Sequence, residues 1–298
     1  MMIGMVELMA ALPWGDWAAR AQEFMTLRYA FARDALIASV LVGALCGLVG
    51  PLLVLRRLSM LGDAAGHATL PGVAAAFLIV GAVSPAPLML GALVAVAIAG
   101  ALVSVLSAGT RVRPDAAIGI VLSVAFGLGA VLLSVIERGA APHAGLGDLL
   151  LGNPAGVTPG QLAALGVAAL MLAGAMALGW RWLVLSTFDE GFARTSGVPV
   201  DAVRAAFVVA LSVVVVVSVQ SVGVVLVAAM LILPPSAALL LARRLSHVCA
   251  LSMLIGAVCG AGGALMSYVQ AGVATGPAMV LVGAAIFGVA ALIKKVRS

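Results

Sequence analysis

Within Leu58–Gly81, LSMLGDAAGHATLPGVAAAFLIVG, only Asp63 and His67 carry ionisable side chains, and they stand four positions apart. On a helix that spacing puts both on one face, with Cβ atoms roughly 5–6 Å apart. A carboxylate oxygen and an imidazole nitrogen so placed can share a divalent metal ion. An ionisable group in lipid-spanning sequence costs a few kcal/mol and usually marks an ion or substrate path. Coordination needs the neutral imidazole, so metal passage through such a pair weakens at acidic pH. The competing structural reading is an internal hydrogen-bonded pair that fixes a helix contact. Zinc usually takes about four ligands, so one chain supplies half a site. A two-fold dimer would supply Asp63 and His67 twice around its axis, as a transient site or gate.

A second constellation, STFDEGFARTSGVPVD over 186–201, reads as a short helix about 188–197 with its own start and stop signals. Ser186 or Thr187 can cap the first free N–H groups, and Asp189 and Glu190 suit the positive end. Arg194 follows Glu190 by four, Gly197 fits a left-handed terminating position, and Pro199 blocks continuation. Phe188 and Phe192 would form an exposed apolar ridge. Two readings stand: a contact element for a soluble partner, or a loop helix lying on a membrane with its phenylalanines in lipid.

The elements that must hold these residues are membrane spans. Of 298 residues, 64% are hydrophobic and only 9% charged. A soluble domain carries about 25% charged residues, so the chain is an all-α, polytopic membrane protein. Nine apolar segments stand near 34–55, 62–81, 86–109, 115–136, 161–185, 204–220, 222–242, 247–270 and 276–293, about eight or nine transmembrane helices. A Ser-Val-Gly corner separates the sixth from the seventh. Residues 1–33 read as an amphipathic interfacial segment with Trp14, Trp17, Phe24 and Tyr29 suited to a membrane surface, and 34–298 as the transmembrane domain.

Arginine and lysine distribution orients the chain. With the C-terminus inside, Arg56, Arg57, Arg111, Arg113, Arg181, Arg194, Arg204, Arg243, Arg244, Lys294, Lys295 and Arg297 are cytoplasmic, 12 of the 16 basic residues. Nine crossings then leave the N-terminus outside. The net charge of +5 serves this topology and does not imply nucleic-acid binding. No cleavable signal peptide is evident in Met1–Leu12. The Gly- and Pro-rich loop 137–161, with His143 and Asp148, reads as a long outer connection.

Other chemistries fit poorly. No Gly-Lys step exists, so a phosphate-cradling GxxxxGK[ST] loop is absent and the chain carries no such ATPase site. HExxH is absent too. Cys46, Cys249 and Cys259 lack CxxC spacing and read as small core residues. Pro234 and Pro235 deprive the Met230 and Leu231 carbonyls of helix donors, which gives a kink or carbonyls lining a path.

The sequence resembles the membrane permeases of zinc/manganese/iron ABC importers. Four blocks carry the resemblance. They are Leu55-Arg56-Arg57-Leu58-Ser59 with Gly62-Asp63-Ala64 and His67-Ala68-x-Leu70-Pro71-Gly72; Asp115-Ala116-Ala117-Ile118-Gly119; Phe188-Asp189 to Gly197; and GVVLVAAMLILP, Gly223–Pro234. Ser267-Tyr268 with Gly276-Pro277 is a looser fifth.

The resemblance implies a fold like the cobalamin and siderophore importer permeases without their first helix, in a bacterial inner membrane. It implies a second permease copy or paralogue, separate cytoplasmic ABC ATPase subunits, and a periplasmic or lipid-anchored metal-binding protein. No cofactor is permanently bound, and a divalent metal is the cargo. It makes Asp63 and His67 metal-path residues, and Phe188, Asp189, Glu190, Phe192, Arg194 and Gly197 part of the helix that couples to the ATPase. An ATP-independent, proton-coupled metal transporter is the competing function. Gly66, where a serine is common, and Gln270, where an acid is common, depart from the family pattern.

Overall fold

The computed structural model describes residue 24 and residues 30–81, 84–109, 111–138, 157–270 and 273–297. Among them every regular element is an α-helix: α1 (Ala30–Leu55), α2 (Ser59–Val80), α3 (Pro85–Gly109), α4 (Pro114–Glu137), α5 (Pro159–Leu178), α6 (Trp180–Phe188), α7 (Glu190–Thr195), α8 (Val200–Val222), α9 (Val224–Leu241), α10 (Leu245–Val269) and α11 (Thr275–Arg297). Eight are long and apolar enough to cross a bilayer, and the apolar stretch of α9, Leu226–Leu241, is shorter. Bilayer-exposed backbone must satisfy its own hydrogen bonds, which helices do internally.

Small residues set the packing. Along the antiparallel seam between α1 and α10, a Cβ on Gly43 would run into the Gly256 backbone, one on Gly47 into Ser252, and one on Gly260 into Ser39. Helices in lipid gain little from the hydrophobic effect and associate by such close packing. Leu52, Leu53, Ile118, Leu165, Leu211 and Leu231 fill the interior. The outside is as apolar as the core: Ile79 and Leu178 are 84% and 92% exposed, a surface for acyl chains.

The expected segments each meet a helix, with two boundary corrections. The segment 161–185 divides at Gly179, where α5 ends and α6 begins. The corner after α8 lies at Gly223 alone, with φ 92°, a conformation favouring glycine. The paired prolines are absorbed inside α9. Gly50 lies against the Pro235 ring and the Leu231 carbonyl, and Met230 and Leu231 are fully enclosed, so the Met230 thioether is a core group. The three cysteines are buried and free, as expected of core residues.

The α1–α2 corner precedes the Asp63/His67 helix. The Leu58 N–H donates to the Leu53 carbonyl and the Arg57 N–H to the Val54 carbonyl, each at 3.0 Å. This is a Schellman cap whose left-handed position, usually glycine, holds Arg57 at φ 58°. A side chain there costs about 1–2 kcal/mol.

Most of the N-terminal segment, with Trp14, Trp17 and Tyr29, and most of the loop 137–161, with His143 and Asp148, lie outside the described residues. Phe24 is described and departs from expectation. It is 5% exposed and packs against Tyr268 at 5.2 Å, because α1 and α10 offer it an apolar notch.

Candidate metal path and cytoplasmic contact site

Asp63 lies in the second turn of α2 and His67 one turn further. Asp63 Oδ1 stands 3.6 Å from His67 Nε2, with side chains 40% and 23% exposed respectively. That separation is beyond a good hydrogen bond, so the pair is juxtaposed without being locked together. The imidazole meets the Phe126 ring of α4 edge-on at 5.3 Å, and its Nδ1 is buried with no hydrogen-bond partner among the described residues. A buried ring nitrogen without a partner is costly in a purely structural pair. Pro71 lacks an N–H, so the His67 carbonyl loses its usual helix partner as well. Carboxylate, imidazole and a spare carbonyl thus gather on one helix.

Backbone packing holds this helix in place. A Cβ on Gly66 would come within 3.0 Å of Val224 at the start of α9. The Thr69 hydroxyl donates to the Gly66 carbonyl at 2.6 Å. The glycine that departs from the family pattern therefore sits at a tight helix contact. Gln270 ends α10 at the far end of the bundle from Arg56, away from Asp63 and His67. Among the described residues no group of three or more His, Cys, Asp or Glu side chains could hold a metal ion.

The segment 186–201 differs in detail from its sequence reading. Ser186 and Thr187 are not the cap. Both remain in α6, where their hydroxyls donate to the Leu183 carbonyl at 3.3 and 2.6 Å. The cap of α7 is Asp189, whose carboxylate accepts from the Phe192 N–H at 2.8 Å. A charged acceptor there outcompetes a neutral hydroxyl. Phe188 therefore closes α6, whereas Phe192 lies in α7. The two remain exposed, at 64% and 59%.

Gly197, at φ 78°, ends α7: Val198 N–H reaches the Ala193 carbonyl and Gly197 N–H the Arg194 carbonyl, at 3.0 and 3.2 Å. Arg194 reaches Glu190 at 3.1 Å and Asp201 at 3.0 Å, while Arg204 reaches Glu190 at 3.1 Å. Hydrogen bonds donated to Asp201 and then to Glu190 hold the exposed Arg194 guanidinium above the ordinary arginine range.

Sequence reading missed one further contact. Arg56 donates to Ser186 Oγ at 2.9 Å and Thr187 Oγ1 at 3.2 Å, and its guanidinium lies 4.9 Å from the centre of the Phe207 ring. One side chain thereby ties the end of α1 to the end of α6 and to α8. Burial, then Arg204, depress its pKa from the arginine value, and Glu190 opposes them.

Residues 28–294 match the model of the ABC 3 transport family. The chain belongs to the ABC 3 transport family. This permease is 37% identical over 265 residues to the manganese transport system membrane protein MntC of Halalkalibacterium halodurans, covering 89% of this chain and 87% of that one. It is 35% identical to the zinc transport system membrane protein TroC of Treponema pallidum, covering 84% of each. The solved PsaBC of Streptococcus pneumoniae in complex with Fab superposes with a TM-score of 0.79 at 31% identity, covering 90% of this chain and 94% of that one. The permease is thus a multi-pass membrane protein of the metal-type ABC transporter class, with the all-helical fold its composition demanded.

Proposed function

We propose that the permease is the membrane-spanning subunit of an ATP-driven importer of a divalent transition metal, zinc, manganese or ferrous iron, in a bacterial inner membrane. Two permease chains face each other across a two-fold axis, cytoplasmic ABC ATPase subunits supply the energy, and a periplasmic or lipid-anchored binding protein delivers the metal. The observation that carries the reading is the Asp63/His67 pair. Its groups stand 3.6 Å apart without a close bond, and the buried Nδ1 of His67 lacks a partner among the described residues. Two ligands from one chain and two from its neighbour make a shell that forms and dissolves as the chains move. Transport needs such binding, favourable enough to enter and weak enough to leave.

The segment from Phe188 to Gly197 is the coupling element. Its exposed Phe188 and Phe192 and its capped, ion-paired α7 support that role. The relatives named for manganese and for zinc leave the cargo among the metals that accept carboxylate and imidazole.

The test is reconstitution of the permease with its ATPase and binding protein in proteoliposomes, offering each metal in turn. Uptake that requires ATP hydrolysis supports the proposal. Uptake driven by a proton gradient without ATP contradicts it.

A further inference from the structure

We infer that the cavity at the arginine-rich end of the bundle is a binding site for the phosphate headgroup of an anionic phospholipid. The cavity, ≈ 680 Å³, lies between α3, α8, the α1–α2 corner and the end of α6. Arg56, Arg57, Arg204, Ser104 and Ser107 stand on its wall, with Glu190 as the one acid. Glu190 is already shared between Arg194 and Arg204.

Two neighbouring residues carry costs that the described chain offsets only in part, for Arg56 through the Phe207 ring and the attraction of Glu190. Arg56 is a half-buried cation whose hydrogen bonds among the described residues run to the neutral hydroxyls of Ser186 and Thr187. Its nearest acid, Glu190, is already engaged by Arg194 and Arg204, and a desolvated charge with only a shared counter-charge is unfavourable. Arg57 keeps its backbone in the left-handed region that glycine would occupy without strain. An anion in the cavity would compensate the first and give the second a use. Guanidinium groups match phosphate oxygens in geometry and charge.

The depth selects a lipid as the source of that phosphate. Arg56 and Arg57 follow directly on the first span, which ends at Leu55. Gly100 and Val208, at the opposite wall, lie inside the spans of α3 and α8, so a polar mouth opens above an apolar floor. Val105 and Val209, next in sequence to Ser104 and Val208 of the wall, are 67% and 53% exposed, which gives these helices apolar outer surface for acyl chains. Basic pockets between transmembrane helices at the cytoplasmic face suit anionic lipid headgroups. The assignment of that face rests on the orientation proposed above, but symmetric nanodiscs make the test independent of orientation and of metal transport.

The experiment places the purified permease in nanodiscs of phosphatidylcholine with increasing phosphatidylglycerol and follows lipid retention by native mass spectrometry, with thermal unfolding in parallel. The wild type is expected to retain phosphatidylglycerol over phosphatidylcholine by about tenfold or more. Arg57→Gly and Arg56→Gln should bring the ratio towards unity. Because glycine fits the corner, Arg57→Gly should unfold in pure phosphatidylcholine no earlier than wild type, which separates lost binding from lost folding.

Equal retention of the two lipids by wild type overturns the proposal, as does an undiminished preference in Arg57→Gly. Displacement of phosphatidylglycerol by inorganic phosphate alone would mean a free-phosphate site and overturn the lipid assignment. A preference seen only with ATPase subunits bound would point to an acidic protein contact and overturn it too.

Discussion

At the residue scale, Asp63 and His67 were legible from sequence because ionisable groups inside an apolar run have few bland explanations. Their setting was not. The orphaned Nδ1, the edge contact with Phe126 and the freed His67 carbonyl depend on which neighbours pack against α2. Arg57 was visible as a topology signal and within the first resemblance block, but nothing in its local sequence announces a left-handed backbone. His67→Ala is expected to cut metal uptake by at least about tenfold while leaving ATP hydrolysis in place, read in parallel uptake and phosphate-release assays. Arg57→Gly is expected to stabilise the permease in zwitterionic lipid by about 1 kcal/mol, measured as a higher unfolding midpoint. A lower midpoint would mean that the side chain holds the corner together.

At the element scale, apolar length located the spans and the Gly-Pro punctuation located the end of α7. The cap was misplaced because Ser186 and Thr187 can also bond back along a continuing helix, and tertiary contact with Arg56 favours that choice. Asp189→Ala removes the acceptor for the Phe192 N–H and should destabilise α7 by about 1 kcal/mol, detectable as faster amide exchange in 190–195. Phe192→Asp puts a charge into the apolar ridge and should abolish metal-dependent stimulation of the ATPase, with the permease still folded and inserted. Uptake at the wild-type rate in that variant would remove α7 from the coupling step. Between spans, Gly256→Val should lower folded yield by size-exclusion profile, because its Cβ would meet the Gly43 backbone and neither helix can yield cheaply.

At the scale of the whole molecule, the proposal makes the chain half of a metal shell and one subunit of a pump. Composition alone showed the membrane class, and the missing nucleotide loop gave only the expectation that energy supply lies on another polypeptide. Which faces meet lipid and which meet a second chain could not be read from composition, because both are apolar. The open side of α2 at Asp63 and the ring of Phe126 are where a second copy would complete the site. The deciding measurement is ATP-dependent uptake of manganese, zinc and ferrous iron into proteoliposomes holding the full complex, wild type beside Asp63→Ala, with ATP hydrolysis followed in the same vesicles. If the pair lies on the metal path, the variant hydrolyses ATP but accumulates little of the metal that the wild type takes up. Undiminished ATP-dependent uptake by Asp63→Ala would remove the pair from the mechanism.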